Sequence, residues 1–479
     1  MAPNGSRGVD RRTFLAGTTC AAMAPLWPIS ALSSSDATVR EFFLSAGQAQ
    51  VPLVGAPHPN TQVWCYNDSV PGPAIRVSQG ERVRIHVENQ LREDTTVHWH
   101  GVRLPNAMDG VPHLTQKPIA PGERFTYDFV CPDAGTFWYH PHQRSFEQVG
   151  RGLYGALIVA EPTPLAVDRD VTWILSDWRL LKNAAISDDF GNMHDVSHNG
   201  RVGNTVTVNG RIRETFSVRA GERIRLRLVN AANARIFGLE FSEHQPWIIA
   251  IDGQPVEPHV PAGNRVVLGP AMRADLVIDM RGKPGQRFTV TDTFYRGMAY
   301  RLLDLVYSEE AALQASVDQP PPRLAANPLA EPELKSAERH QIVFSGGMMG
   351  GMMSAVMDGK QTDIRTLMHN GLVWAVNGIA AKGHMLKPLL TLDQGRSYVL
   401  ELVNETAWHH PMHLHGYAFR VISRNGKPTQ HREWLDTVLL DPRERAEIAF
   451  VADNPGDWMF HCHILEHQTG GMMAVVRVV

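Results

Sequence analysis

The 479-residue sequence contains only four cysteines. A disulfide-stapled scaffold is therefore excluded, and the core must close by apolar packing. Neither sign of charge is in excess: 46 Lys and Arg stand against 49 Asp and Glu, a net charge of −3. That balance leaves no electrostatic footprint for nucleic acid. Long hydrophobic runs are also scarce. Only the N-terminal segment approaches one, which excludes a polytopic membrane protein. With 43% apolar and 20% charged residues, the chain fits a globular protein, and neither disorder nor coiled coil. At roughly 100–200 residues per domain, its length predicts two to four domains. Histidine and methionine are abundant, at 22 and 18 residues.

The N-terminus reads as an address. Arg11-Arg12 precede a short apolar stretch from Ala16 to Ile29, and small residues follow at Ser33-Ser34-Ser35. A basic start, a short apolar core and a small-residue exit predict a secretory signal over 1–36, and the paired arginines favour the twin-arginine route. The mature protein is then expected in the periplasm or outside the cell.

Three copies of one pattern organise the remainder. Gly80 to Asn89 recurs as Gly221 to Asn230 and, more weakly, as Gly395 to Asn404; Asn67, Asn209 and Asn377 precede the copies. Each copy is a glycine turn followed by alternating apolar and polar residues, the pattern of a half-buried strand. Such strand-rich units predict an all-β chain of three β-sandwiches over 37–162, 163–310 and 335–479, with a Pro-rich linker over 311–334.

The register sharpens this reading. Nine residues past Asn89 lies His98, in His98-Trp99-His100, and nine past Asn404 lies His413, in His413-Leu414-His415. Nine past Asn230 is Leu239, with Phe241 in place of the second histidine. Downstream, His140 and His142 match His461 and His463, where the middle unit has Val290 and Asp292. Residues i and i+2 of a strand share a face, so each His-X-His offers two imidazoles to one side. Four such pairs, with no matching carboxylate or thiolate, suit copper among the first-row divalent ions. The middle unit reads as a spacer without metal. In His461-Cys462-His463, the Cys462 side chain points opposite its neighbours. It can join His467, Met472 and His410 as one thiolate, two imidazoles and a thioether, the donor set of a blue-copper site.

These motifs, His98–Gly101, His140–His142, His410–Gly416 and His461–Met472, resemble those of the multicopper oxidases, specifically the bacterial three-domain laccase-like and cuprous oxidase group. The resemblance runs from about residue 45 to the end. It implies cupredoxin-like Greek-key domains and four copper ions. Type 1 copper would take His410, Cys462, His467 and Met472, and type 2 copper would take His98 and His413. The type 3 pair would take His100, His140, His142, His415, His461 and His463. The family takes single electrons from a substrate at type 1 and reduces O₂ to water at the trinuclear cluster. The resemblance also implies a proton or hydrogen-bond role for Asp109 near the cluster. Gln468 departs from many bacterial relatives, where a proton-relaying Glu stands; Glu466 is the nearby acid.

Other features are less specific. Met348, Met349, Met352, Met353 and Met357, with Asp358, form a Gly-Met segment that is a candidate site for substrate copper or simply a loop filling an uneven surface. Asp436 is read either as approaching the type 1 edge or as a structural hydrogen-bonding group. Cys20 lies in the signal and Cys462 on copper, so Cys65 and Cys131 remain. A disulfide between them is expected, the alternative being two buried free thiols.

The expected partners are O₂ and a small reducing substrate, with phenols or aromatic amines ahead of Cu(I) and Mn(II). Nucleic acid is not expected, nor a membrane span in the mature chain, which should act as a monomer. A non-enzymatic copper-binding envelope protein is the rival, and the full ligand set argues against it.

Overall fold

The protein is described by a computed structural model over residues 39–313, 321, 323–383 and 387–479. The expected signal at 1–36 and part of the linker lie outside these residues. Among the described residues, no helix is long and apolar enough to cross a membrane.

The chain folds as three β-sandwich domains. In the first, the sheet Thr61–Tyr66, Arg40–Val51, Arg82–Asn89, Arg124–Val130 faces the sheet Gly72–Ser78, Gly155–Ala160, Gly135–His140, His98–His100. A six-stranded and a five-stranded sheet form the second. In the third, the outer sheet is built around Ser397–Asn404. Its inner sheet runs Leu390–Leu392, Met473–Val478, Gly456–Cys462, His410–Leu414, Thr437–Leu440. Alternating strands explain the cores: in Arg82–Asn89, Val83, Ile85 and Val87 are buried while the residues between them are at least partly exposed.

The glycine-turn strands occupy the same place in each domain. Each pairs in parallel with the domain's first strand: Arg40–Val51 with Arg82–Asn89, Arg169–Trp178 with Arg223–Asn230, and Glu338–Gly346 with Ser397–Asn404. Their terminal asparagines close the following loop with the same bonds. The Asn89 amide donates to the Glu93 and Ile119 carbonyls and its oxygen accepts Leu91 N–H. Asn230 does this with Arg235, Leu268 and Ala232, and Asn404 with Trp408, Asp441 and Thr406. Asn67, Asn209 and Asn377 all adopt positive φ, a conformation asparagine tolerates, and each accepts at Oδ1 an N–H from the middle of its domain's first strand.

The expected Cys65–Cys131 disulfide is not formed; both are buried free thiols. The reason is facing. Cys65 packs beside Leu53, Val63 and Trp138, whereas Cys131 packs in the core of the first sandwich with Val83, Tyr127 and Phe129. Burial pushes the thiol pKa of each up, Cys65 to about 11 and Cys131 to about 12.

Candidate metal centre

Cross-strand register builds the inner site. In the first domain His98 stands opposite His140, and in the third His413 stands opposite His461. His142 and His463 follow at the strand ends. The two domains bring all four pairs together: His415 Nε2 lies 3.1 Å from His461 Nε2, His142 Nε2 3.4 Å from the same atom, and His463 Nε2 3.3 Å from His140 Nε2. His98 stacks on His415 at 3.9 Å between centroids and His100 on His413 at 3.8 Å. All eight are buried.

The outward nitrogens are tied to protein, except His463 Nδ1, which is buried without a partner. The Nδ1–H groups of His98, His140, His413 and His461 donate to the carbonyls of Asp109, Pro141, Asp436 and Cys462. His415 Nδ1 donates to the Asp109 carboxylate at 2.9 Å. The inward nitrogens His98 Nε2, His100 Nδ1 and His413 Nε2 are buried without a hydrogen-bond partner. A buried polar atom without a partner is costly. Burial, reinforced by the neighbouring imidazoles, holds the pKa values of His100, His140, His142, His415, His461 and His463 well below the usual histidine range. Neutral imidazoles whose lone pairs converge in a buried site fit metal ions. His98, His413 and His415, and His142, His415 and His461, are two of the triads whose donor atoms lie within 4.8 Å of one another.

The second site lies behind the same strand. Cys462 Sγ is 3.5 Å from His410 Nδ1 and 3.7 Å from His467 Nδ1, and these two nitrogens are 3.2 Å apart. Helix Leu465–Thr469 supplies His467. Gly471, at φ +113°, then turns the chain back so that buried Met472 accepts Cys462 N–H at its carbonyl. A Cβ at Gly471 would sit 2.5 Å from the Trp374 carbonyl, so only glycine fits. The far nitrogens are held as well: His410 Nε2 by Thr406 Oγ1 at 2.8 Å, and His467 Nε2 by the His198 carbonyl at 2.8 Å. Trp374 packs on both rings. Burial lowers the His467 pKa to about 3 and pushes the Cys462 thiol far up, a cost that a soft metal removes by binding the thiolate.

Asp109 sits in the inner site, with its carboxylate 3.2 Å from His98 Nδ1 and bonded to His415. Asp436 does not approach the type 1 edge. Its carboxylate is instead 3.1 Å from His100 Nε2, one of the eight inner histidines. The physical reason is Arg273, a buried middle-domain residue that pairs with it at 2.6 and 2.8 Å. Burial works to raise the Asp436 pKa, but the Arg273 charge and the His413 hydrogen bond hold it low, while burial beside Asp436 pushes Asp252 up to about 7. Gln468 reaches His142 Nδ1 at 3.5 Å and accepts from Ser145 Oγ. Glu466 turns away, toward Arg201 N–H and the Asn233 amide, and burial pushes it up to about 7.

Met348, Met349 and Met353 are exposed, whereas Met352 and Met357 pack against a small core with Ala355 and Leu367. Asp358 lies in the turn that follows, at φ 51°. Met348 is tied by backbone bonds to Ser197 O and Trp408 Nε1. Beside them opens a cavity of about 820 Å³, lined by His198, Asn199, Val206, Tyr295, Leu302 and Trp408 among others. Sequence reasoning missed Arg273, Asp252, His198 and Trp408, because each acts across a domain boundary that local spacing does not encode.

Family models described as multicopper oxidase match residues 49–164, 169–304 and 356–479. The chain is 29% identical to the multicopper oxidase MmcO of Mycobacterium tuberculosis, over 90% of this chain and 85% of that one. It is 25% identical to copper resistance protein A of Escherichia coli, over 98% and 99%. Among solved structures, a multi-copper oxidase from Pseudomonas thermotolerans superposes with a TM-score of 0.81 at 35% identity, covering 92% of this chain and all of that one. One from Campylobacter jejuni, described as a metallo-oxidase, gives 0.77 at 29%, covering 93% of each. The sandwiches, the converging histidines and these likenesses agree: the chain belongs to the multicopper oxidase family, as a three-domain, laccase-like oxidoreductase that uses O₂.

Proposed function

We propose that the chain holds four coppers and oxidises phenols or aromatic amines at the expense of O₂. Type 1 copper is assigned to His410, Cys462, His467 and Met472, and type 2 to His98 and His413. The type 3 pair is assigned to His100, His140, His142, His415, His461 and His463. The observation that carries this reading is the placement of Cys462 Sγ within 3.7 Å of two imidazole nitrogens, on a strand whose flanking His461 and His463 reach the inner cluster. Bound copper supplies one-electron chemistry that draws electrons from a reducing substrate and delivers them to O₂.

The protein's own residues hold this chemistry in place. Asp109 accepts from His415 Nδ1 and, through its carbonyl, from His98 Nδ1, which keeps their Nε2 lone pairs inward. The His198 carbonyl does the same for His467 from the opposite nitrogen. Trp374 shuts water away from both outer imidazoles. His467 has no exposed surface, so the donor is seated in the neighbouring cavity, where Tyr295, Tyr300 and Trp408, within a lining that mixes apolar and charged residues, offer faces to a phenolic ring.

The domain limits we assign are 37–162, 163–310 and 335–479, with a linker at 311–334 and a copper-free middle domain. The shared asparagine bonds support descent of the three from one repeated unit. We assign export by the twin-arginine route to the periplasm or beyond, on Arg11-Arg12, and a monomeric state. Cu(I) oxidation is the second reading, favoured by the exposed Met348 and Met349, the first of which accepts Trp408 Nε1–H at its carbonyl.

O₂ uptake by the copper-loaded chain, with a phenolic donor and with Cu(I), tests the proposal. Faster phenol turnover that survives Met348→Ser, Met349→Ser and Met353→Ser supports it. Much faster Cu(I) turnover that these changes abolish gives the second reading. A chain that binds copper without oxidising either donor refutes both.

A further inference from the structure

Seven of the inner histidines present Nε2 to the site, and their Nδ1 atoms face outward. His100 is reversed. Its Nε2 points out, 3.1 Å from Asp436 Oδ1 and 3.2 Å from Thr437 Oγ1, and its Nδ1 is the buried, unpartnered atom that faces in. The carboxylate that receives the His100 Nε2–H belongs to the third domain, but it is positioned from the second. Arg273 meets Asp436 with both terminal nitrogens, Nη1 to Oδ1 at 2.8 Å and Nη2 to Oδ2 at 2.6 Å. A two-pronged guanidinium fixes the carboxylate plane as well as its position.

Arg273 is itself gripped from both the first and the middle domain. Its Nε donates to the Thr136 carbonyl, and its backbone N–H donates to Asp252 Oδ1. Asp252 Oδ2 in turn accepts Thr437 N–H at 3.1 Å. One residue from each domain therefore meets at this contact: His100 of the first, Arg273 of the second and Asp436 of the third. The backbone beside His100 is shaped to admit the pair. Gly101, at φ +83°, would place a Cβ 2.3 Å from Arg273 Nη2 and 2.4 Å from Asp436 Oδ2.

We propose that Arg273 of the middle domain is the positioning residue for His100: by pinning Asp436 it turns the imidazole so that Nδ1, and not Nε2, faces the cluster. The middle domain is thus part of the trinuclear site without contributing a ligand. This inference rests on the ligand assignment under Proposed function. A buried aliphatic filler would cement the domains equally well. An ion pair isolated from water is seldom a net gain in stability, whereas an acceptor for the Nε2–H of His100 is needed at that one place.

The test is Arg273→Lys in the copper-loaded full chain, read by copper per chain, blue absorption and electron paramagnetic resonance. Lysine keeps the charge and loses the two-pronged grip. The expected result is unchanged blue absorption per chain, with loss of at least one cluster copper or the appearance of a resonance from uncoupled type 3 copper. A lower melting temperature with full copper and an unaltered spectrum means the pair only holds the domains together, and overturns the proposal. Gly101→Ala, which drives a methyl into the pair and leaves both charges, should reproduce the cluster change; a native cluster spectrum there also overturns it. If the unsubstituted chain lacks blue absorption or cluster copper, the ligand assignment has failed instead.

Discussion

Where the first and third domains carry His98 and His413, the middle domain carries Leu239; where they carry His140 and His461, it carries Val290. The antiparallel pairing survives the exchange, with its register moved by two residues. His98 stands opposite His140 and His413 opposite His461, and in the middle domain Leu239 and Phe241 face Asp292 and Val290 across the same kind of antiparallel pair. In the middle domain, Leu239, Phe241 and Val290 complete an apolar core. In the outer domains the corresponding positions face each other across an interface and bury unpartnered nitrogens. The sandwich supplies positions, and residue type at those positions decides whether they hold a core or a metal.

Breaking the outer half of this comparison should have the largest effect. Cys462→Ser is expected to abolish blue absorption and reduce donor oxidation to background while the inner ligands remain in place; retained blue colour would refute the type 1 assignment. Asp109→Ala removes the acceptor of His415 Nδ1 and should lower turnover or cluster affinity by roughly 10–100-fold, checked by steady-state O₂ uptake and copper titration.

The middle half can be challenged directly. Leu239→His with Phe241→His restores a His-X-His pair in the middle domain. With no facing pair on a neighbouring domain, it should gain no copper and lose about 2–5 kcal/mol of stability from the buried polar rings. Elemental analysis with thermal unfolding decides this, and an extra bound copper would sink the spacer reading.

Much of the site could be read from the sequence because its determinants are local. His-X-His at i, i+2 fixes a shared face, and the opposite facing of Cys462 follows from the same alternation. The asparagine positions were visible as well, because each serves the loop that follows it. The domain contacts were not visible. Nothing near Arg273 in Met272-Arg273-Ala274-Asp275 distinguishes a surface arginine from one buried against another domain, and Asp436 could be placed only once that partner was known. The Cys65–Cys131 pairing failed for a related reason: being in one domain does not determine which core a side chain faces.

The smallest expected effect concerns the contact between the domains. An aspartate in an unfolded chain titrates near pH 4, whereas Asp252 in the fold titrates near 7. Between those values the folded chain binds the additional proton, so this group's contribution to stability falls as pH rises from about 4 to about 7. Asp252→Asn should flatten that part of the stability profile, measured by denaturant unfolding across the range. An unchanged slope would show that Asp252 does not titrate there.

The proposed activity requires two linked centres in the outer domains. Copper per loaded chain, measured by elemental analysis alongside electron paramagnetic resonance, tests this most directly. Four coppers are predicted, two of them silent as a coupled pair. Two or fewer per chain, or no silent pair, would contradict it.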